Sequence, residues 1–158
     1  MKNVTTILGA ILFFGVSASA FGDEEFGDWT VSFGQRYLEH IVENGPGNRF
    51  IVSCDLGASE DHRGTGLLVT IIGKDPPPLS TVKVILDGKE VAFGASETGS
   101  IKADCHACSE AFEHFWRNIR RARSMLVQLS DGRSSSFSLK GVAKALGPKV
   151  CRTGYMGR

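Results

Sequence analysis

The chain has 158 residues, with 18 Lys+Arg against 17 Asp+Glu, 42% hydrophobic residues and four cysteines. That composition fits a folded domain able to bury a core of its own, and the near-balance of charge lacks the basic excess of a nucleic-acid binder. Nucleic acid is therefore not expected as a partner.

The first twenty residues, MKNVTTILGAILFFGVSASA, place Lys2 before an apolar run from Ile7 to Val16 and end on Ala18-Ser-Ala20. This is the pattern of an export signal cleaved after Ala20. The apolar run is too short to cross a bilayer, which takes about 20 residues, and no cysteine follows to accept a lipid. The expectation is a mature chain, residues 21–158, that forms one β-rich domain in the periplasm or outside the cell and has no integral membrane span. Only Lys2 is lost among the charges, so 17 basic and 17 acidic residues remain.

After an acidic lead from Gly22 to Gly27, Trp29-Thr-Val-Ser-Phe33 alternates apolar and polar residues, which predicts a strand with Trp29, Val31 and Phe33 on one face. Tyr37 to Val42 and Arg49 to Cys54 form a hairpin around Asn44-Gly-Pro-Gly47. Gly57 to Gly64 is a polar loop holding Asp61, His62 and Arg63. The unbroken run Leu67 to Ile72 suits a strand buried on both sides or central in a sheet, and Pro76-Pro-Pro78 ends it. Val82 to Leu86 and Glu90 to Phe93 flank the turn Asp87-Gly-Lys89. Ser100 to Ala103 is a short strand, and Ser124 to Leu129 pairs with Ser134 to Leu139 around Ser130-Asp-Gly-Arg133. The fold expected is mainly β, an antiparallel sandwich or barrel-like domain.

One segment has the helical period instead. From about residue 109 to 123, Phe112, Phe115, Trp116, Ile119 and Ala122 recur at steps of three and four, so an amphipathic helix packs one face on the sheet. Glu113 stands four before Arg117, and Glu110 four before His114, on its other side. A short helix from Val142 to Leu146 stops at Gly147 and Pro148.

All four cysteines, Cys54, Cys105, Cys108 and Cys151, fall after the leader, and an oxidising compartment favours disulfides. Three pairings are open. Cys54 with Cys151 ties the early sheet to the tail, a long closure that stabilises by about 3–5 kcal/mol, while Cys105 with Cys108 closes a very small loop. Crossed pairings of Cys54 with Cys105 or Cys108 remain.

The motif Cys105-His-Ala-Cys108 opens the helix, where a thiolate is stabilised by the first-turn amides. The strands around it read as hairpins rather than as a βαβ unit, and no proline begins a later strand to face the sulfurs, so a staple is favoured over a redox centre. A zinc site built from these cysteines with His106 or His114 lacks a second close pair, and Ser109 stands where a haem-attachment motif needs histidine. His40 reads as a half-exposed strand residue. No nucleophile elbow or metal-hydrolase spacing is present, so no catalytic, cofactor or metal residue is assigned.

Arg117, Arg120, Arg121 and Arg123 form a basic helix face. Together with Asp61, His62 and Arg63 they are the candidate contacts for another protein. A non-enzymatic role through such contacts is expected, with an inhibitor of an exported enzyme and a thiol oxidoreductase at Cys105 and Cys108 as the alternatives.

Two stretches, Phe26-Gly-Asp-Trp-Thr-Val31 and Phe137-Ser-Leu-Lys-Gly-Val-Ala-Lys-Ala-Leu146 followed by Cys151, resemble the invasion-associated locus B family of bacterial exported proteins. The later stretch is also similar to periplasmic accessory proteins of type VI secretion, which share its F-x-L-x-G-x-x-x-A-hydrophobic pattern. The resemblance implies a periplasmic or surface-associated β-sandwich without catalysis, linked in some members to host-cell invasion. It departs at Phe33, near where that family carries a cysteine.

Overall fold

The structure is a computed structural model that describes residues 22–57 and 64–155. The leader and the Asp61, His62, Arg63 loop tip lie outside the described residues. Among the described residues, ten strands form two antiparallel sheets. The first runs β1 (Glu24–Phe26), β2 (Trp29–Gly34), β3 (Tyr37–Glu43), β4 (Arg49–Asp55), β5 (Gly66–Thr70) and β8 (Ile101–Lys102). The second runs β10 (Ser134–Ser136), β9 (Met125–Leu129), β6 (Thr81–Leu86) and β7 (Lys89–Gly94). Both are open, so of the two architectures expected the sandwich is present and the closed barrel is not.

The hairpins follow the turn chemistry. Asp87 and Gly88 have φ of 49° and 80°, the positive pair that a two-residue turn needs to match strand twist, and β6 and β7 pair from Thr81↔Gly94 to Leu86↔Lys89. The expected β3/β4 and β9/β10 hairpins also form, although β10 ends at Ser136 and Phe137 turns into the core. The acidic lead, which carries no alternation, contributes β1 by pairing Glu24 with Val31 and Phe26 with Trp29.

Helix α1 spans His106–Ile119, one turn earlier than the apolar period predicts. The reason is its cap: Cys105 has extended backbone and its Sγ accepts the Cys108 amide at 3.0 Å. Its apolar stripe, Phe112, Phe115, Trp116 and Ile119, is buried, as expected for a core face. The Phe115 ring lies 6.0 Å from Phe50 of β4 and 5.8 Å from Phe93 of β7, so one side chain of α1 contacts both sheets. Truncating such a ring costs about 3–5 kcal/mol. Helix α2, Val142–Leu146, has the predicted bounds, and its Val142, Ala145 and Leu146 are buried.

Three sequence expectations are corrected. Of the two settings expected for Leu67 to Ile72, an interior place in a sheet holds, with β5 between β4 and β8, but burial on both sides does not: β5 stops at Thr70, Leu68 is 40% exposed, and Ile72 is 68% exposed in the turn beyond. The alternation of β2 holds, but burial fades along it from Trp29 to the exposed Phe33 beside the β2–β3 turn. His40 is buried rather than half-exposed, at 3%, because Trp116 and Cys54 close over it.

The two stretches that carry the family resemblance meet in space. Asp28 N donates to Lys140 O at 3.0 Å, Ser138 Oγ donates to Asp28 Oδ2 at 2.6 Å, and Lys140 Nζ lies 3.8 Å from Asp28 Oδ1. Gly141, at φ 89°, abuts the Phe26 carbonyl so closely that a Cβ would overlap it. This joint brings α2 onto β1 and β2.

Candidate functional site

Period two along β4 sends Phe50, Val52 and Cys54 to one face of the first sheet. Cys54 bonds Cys151 with 5.4 Å between the Cα atoms, which draws the chain after α2 back across that face. An open groove of about 1400 Å³ results, walled by α1, α2 and the tail. Phe26, Val31, Leu38, Leu146 and Val150 give it apolar walls; Arg117, Lys144, Lys149 and Arg152 stand along it with Glu24 and Glu113.

The tail is held at a second point. Thr65 Oγ1 donates to Arg152 O at 2.7 Å, and the buried hydroxyls of Ser109 in α1 and Thr153 bond each other. The hydroxyls of Thr65, Ser109 and Thr153 are thus satisfied by the protein itself, and they tie the tail to β5 and α1.

The groove is lined by four cations and by three carboxylates, Glu24, Asp55 and Glu113, of which Asp55 pairs with Arg36. Arg117 pairs with Glu113 at 3.5 Å, as the i,i+4 spacing predicts, whereas Lys144, Lys149 and Arg152 have no ion-pair partner among the described residues. They were not singled out by motif reasoning, yet composition carries a signal: Asp131 is the last acidic residue, and Arg133, Lys140, Lys144, Lys149, Arg152 and Arg158 follow it. A run of like charge on a folded tail makes a positive surface.

At the groove's inner end His40 Nε2 lies 3.6 Å from Cys54 Sγ, and the ring meets Trp116 edge-on at 5.7 Å between centroids. Burial pushes its pKa down from 6.5 to about 4, partly offset by the Ala145 backbone, so the imidazole is neutral near pH 7. His40, Cys54 and Cys151 place their ligand atoms within 4.8 Å of one another. With the two sulfurs bonded to each other, neither thiolate that a soft cation requires is available there.

The other predicted residues are dispersed. Arg120 sits beyond α1 on a smaller hollow shared with Lys140 and Lys144, and Arg121 is exposed in the turn after the helix. Cys105 and Cys108 are bonded to each other, 4.9 Å between Cα atoms, at the start of α1. On either side of the segment that holds Asp61, His62 and Arg63, Asp55 Oδ1 accepts Gly57 N at 2.9 Å and Oδ2 accepts Gly64 N at 3.2 Å, while Arg36 Nη2 donates to Oδ2 at 2.9 Å. Burial alone would raise the Asp55 carboxyl; the two amides and the guanidinium outweigh it and hold the pKa below the usual value.

Fold and site together define a disulfide-bonded β-sandwich with a preformed, basic-edged groove, and no described helix is long and apolar enough to cross a membrane. The model of the YfjT family matches residues 27–146, and the chain belongs to that family. The match takes in both halves of the joint between Asp28 and Lys140. No curated protein and no solved structure matches the chain.

Proposed function

We propose that the protein is an exported bacterial binding protein that works in the periplasm or outside the cell and receives, without catalysis in the groove, an acidic, partly apolar segment of another protein. The observation that carries this reading is the set Lys144, Lys149 and Arg152, three cations without acidic partners among the described residues beside apolar walls that the Cys54–Cys151 bond holds open. Unpaired cations raise the rate at which an acidic partner is met, and the apolar walls supply the area that holds it. The leader pattern and two disulfides support the compartment. The resemblance to the invasion-associated locus B family supplies the setting, a role in virulence or secretion.

Charge reversal tests it. The mature protein and a Lys144→Glu, Lys149→Glu, Arg152→Glu variant are compared as affinity baits in periplasmic and culture fractions. A specific partner retained by the first at low salt and lost by the second is the expected result; equal retention by both contradicts a groove-centred contact. Where the retained partner is an enzyme that loses activity on binding, the same surface serves as an inhibitor.

A further inference from the structure

The binding role leaves one chemically distinctive feature unused, the bond between Cys105 and Cys108. It differs from Cys54–Cys151 in span, in the exposure of its first cysteine and in its place at a helix start. It closes a separation of three residues instead of 97, so it constrains little of the unfolded chain. Cys105 is exposed and Cys108 half-buried, whereas Cys54 is buried. It also stands at the amino end of a 14-residue helix, where Cys105 Sγ already accepts the Cys108 N–H. A sulfur in that position is stabilised as a thiolate by the amide and by the helix dipole.

We propose that Cys105–Cys108 is a thiol–disulfide exchange site that oxidises a dithiol carried by another protein. A thiolate of the substrate attacks the exposed Cys105 Sγ; a mixed disulfide forms, and the Cys105–Cys108 bond breaks with Cys108 leaving as a thiolate that takes up a proton. The second substrate thiolate then attacks the substrate sulfur of the mixed disulfide, which closes the substrate's own disulfide and releases Cys105 as the capped thiolate. Two electrons pass from the substrate dithiol to the protein, and the second substrate proton goes to water. A disulfide-containing oxidant returns the pair to its starting state by the reverse exchange.

The scaffold tolerates this opening. Ser109 N donates to Cys105 O at 2.8 Å, and the Ser109 hydroxyl is bonded to that of Thr153, so the first turn of α1 is held by groups other than the sulfurs. Reduction turns a neutral cap into a charged one, which favours the reduced form and makes the disulfide more oxidising.

The test uses the folded mature chain in glutathione buffers of graded thiol-to-disulfide ratio, quenched by alkylation and read by peptide mass. Cys105 and Cys108 are expected to be half reduced at a ratio that leaves Cys54–Cys151 fully bonded, with the circular dichroism unchanged. In a Cys108→Ser variant, Cys105 is expected to alkylate at least tenfold faster than in the same chain unfolded, with the rate persisting below the pH at which an ordinary thiol falls silent. A Cys105–Cys108 bond that opens only when the chain unfolds, or a Cys105 no faster than in the unfolded chain, overturns the proposal.

Discussion

Trp29, the first residue of β2, donates its indole Nε1–H to the carbonyl oxygen of Ser138 at 2.9 Å, across 109 residues of chain. Around that bond the Gly27-Asp28-Trp29 turn and the Ser138 to Gly141 turn interlock: a Cβ at Gly27 would meet Lys140 O, and one at Gly141 would meet Phe26 O. The two short stretches of the family resemblance are therefore halves of one contact. Its consequence is the position of α2, and with it one wall of the groove.

Gly141 tests that joint. Gly141 and Gly132 share φ 89°, but a Cβ overlaps Phe26 O at the first and meets nothing within 4 Å at the second. Gly132→Ala is expected to cost about 1 kcal/mol of stability from backbone strain alone, and Gly141→Ala at least about 2 kcal/mol more, since a backbone carbonyl has to move. Denaturant unfolding of both variants measures the difference.

Stability should fall with mild acid because of His40. Its folded pKa of about 4 lies below the unfolded 6.5, so between those values the unfolded chain binds a proton that the folded chain refuses. The contribution is complete above pH 6.5 and declines as pH drops toward 4, on the order of 3 kcal/mol in all. In His40→Gln the slope of unfolding free energy between about pH 5 and 6.5 should be smaller by the His40 share, whatever the variant's stability at pH 7.

The two disulfides should contribute unequally. Removing Cys54–Cys151 as a double serine variant is expected to cost about 4–5 kcal/mol and to loosen the tail, whereas removing Cys105–Cys108 costs about 2 kcal/mol or less. Thermal unfolding of the two variants ranks them, and equal losses would contradict the tail's dependence on the long closure.

Asp55 links the groove side of the sheet to the mouth of the Gly57 to Gly64 loop. Its side chain is fully buried, its amide partners are at Gly57 and Gly64, and its lowered pKa means that its stabilisation is present above the unfolded carboxylate value and lost as pH falls through the folded one. Asp55→Asn keeps the shape but not the charge, and is expected to lower stability at pH 7 by about 1–3 kcal/mol, with protease cutting in the loop accelerated ahead of global unfolding.

Local signals made much of this fold readable and stopped where contacts became long-range. The Asp87-Gly88 turn, the stripe Phe112, Phe115, Trp116 and Ile119, and the Gly147 stop each act within a few residues, so pattern reasoning finds them. The β2–β3 turn at Gln35 and Arg36 has positive φ at both residues without glycine, asparagine or aspartate; the pairing of the flanking strands and the bonds of Arg36 to Leu56 and Asp55 hold it. Strand β1 likewise exists because β2 offers it an edge. His40 is buried by Trp116, which is 76 positions away in the sequence, and no local pattern announces that. The groove was partly legible: cysteine count and compartment implied that its cysteines are bonded while leaving the partner of Cys54 open, and Arg117 came from the helix face. Lys144, Lys149 and Arg152 line one groove because the Asp28–Lys140 joint places α2 and because Cys151, Arg152 and Thr153 are tied to β4, Thr65 and α1, and the acid-free end of the chain was the trace they left.

The central claim is that the groove between α1, α2 and the tail receives another protein. A photoreactive amino acid at Val150, in the groove, and another at Gln128, on the second sheet, would be installed in the exported protein and activated in intact cells. The account predicts one discrete adduct from position 150, carrying an acidic segment of its partner, and none from 128. Adducts from both positions alike, or from 128 alone, would contradict it.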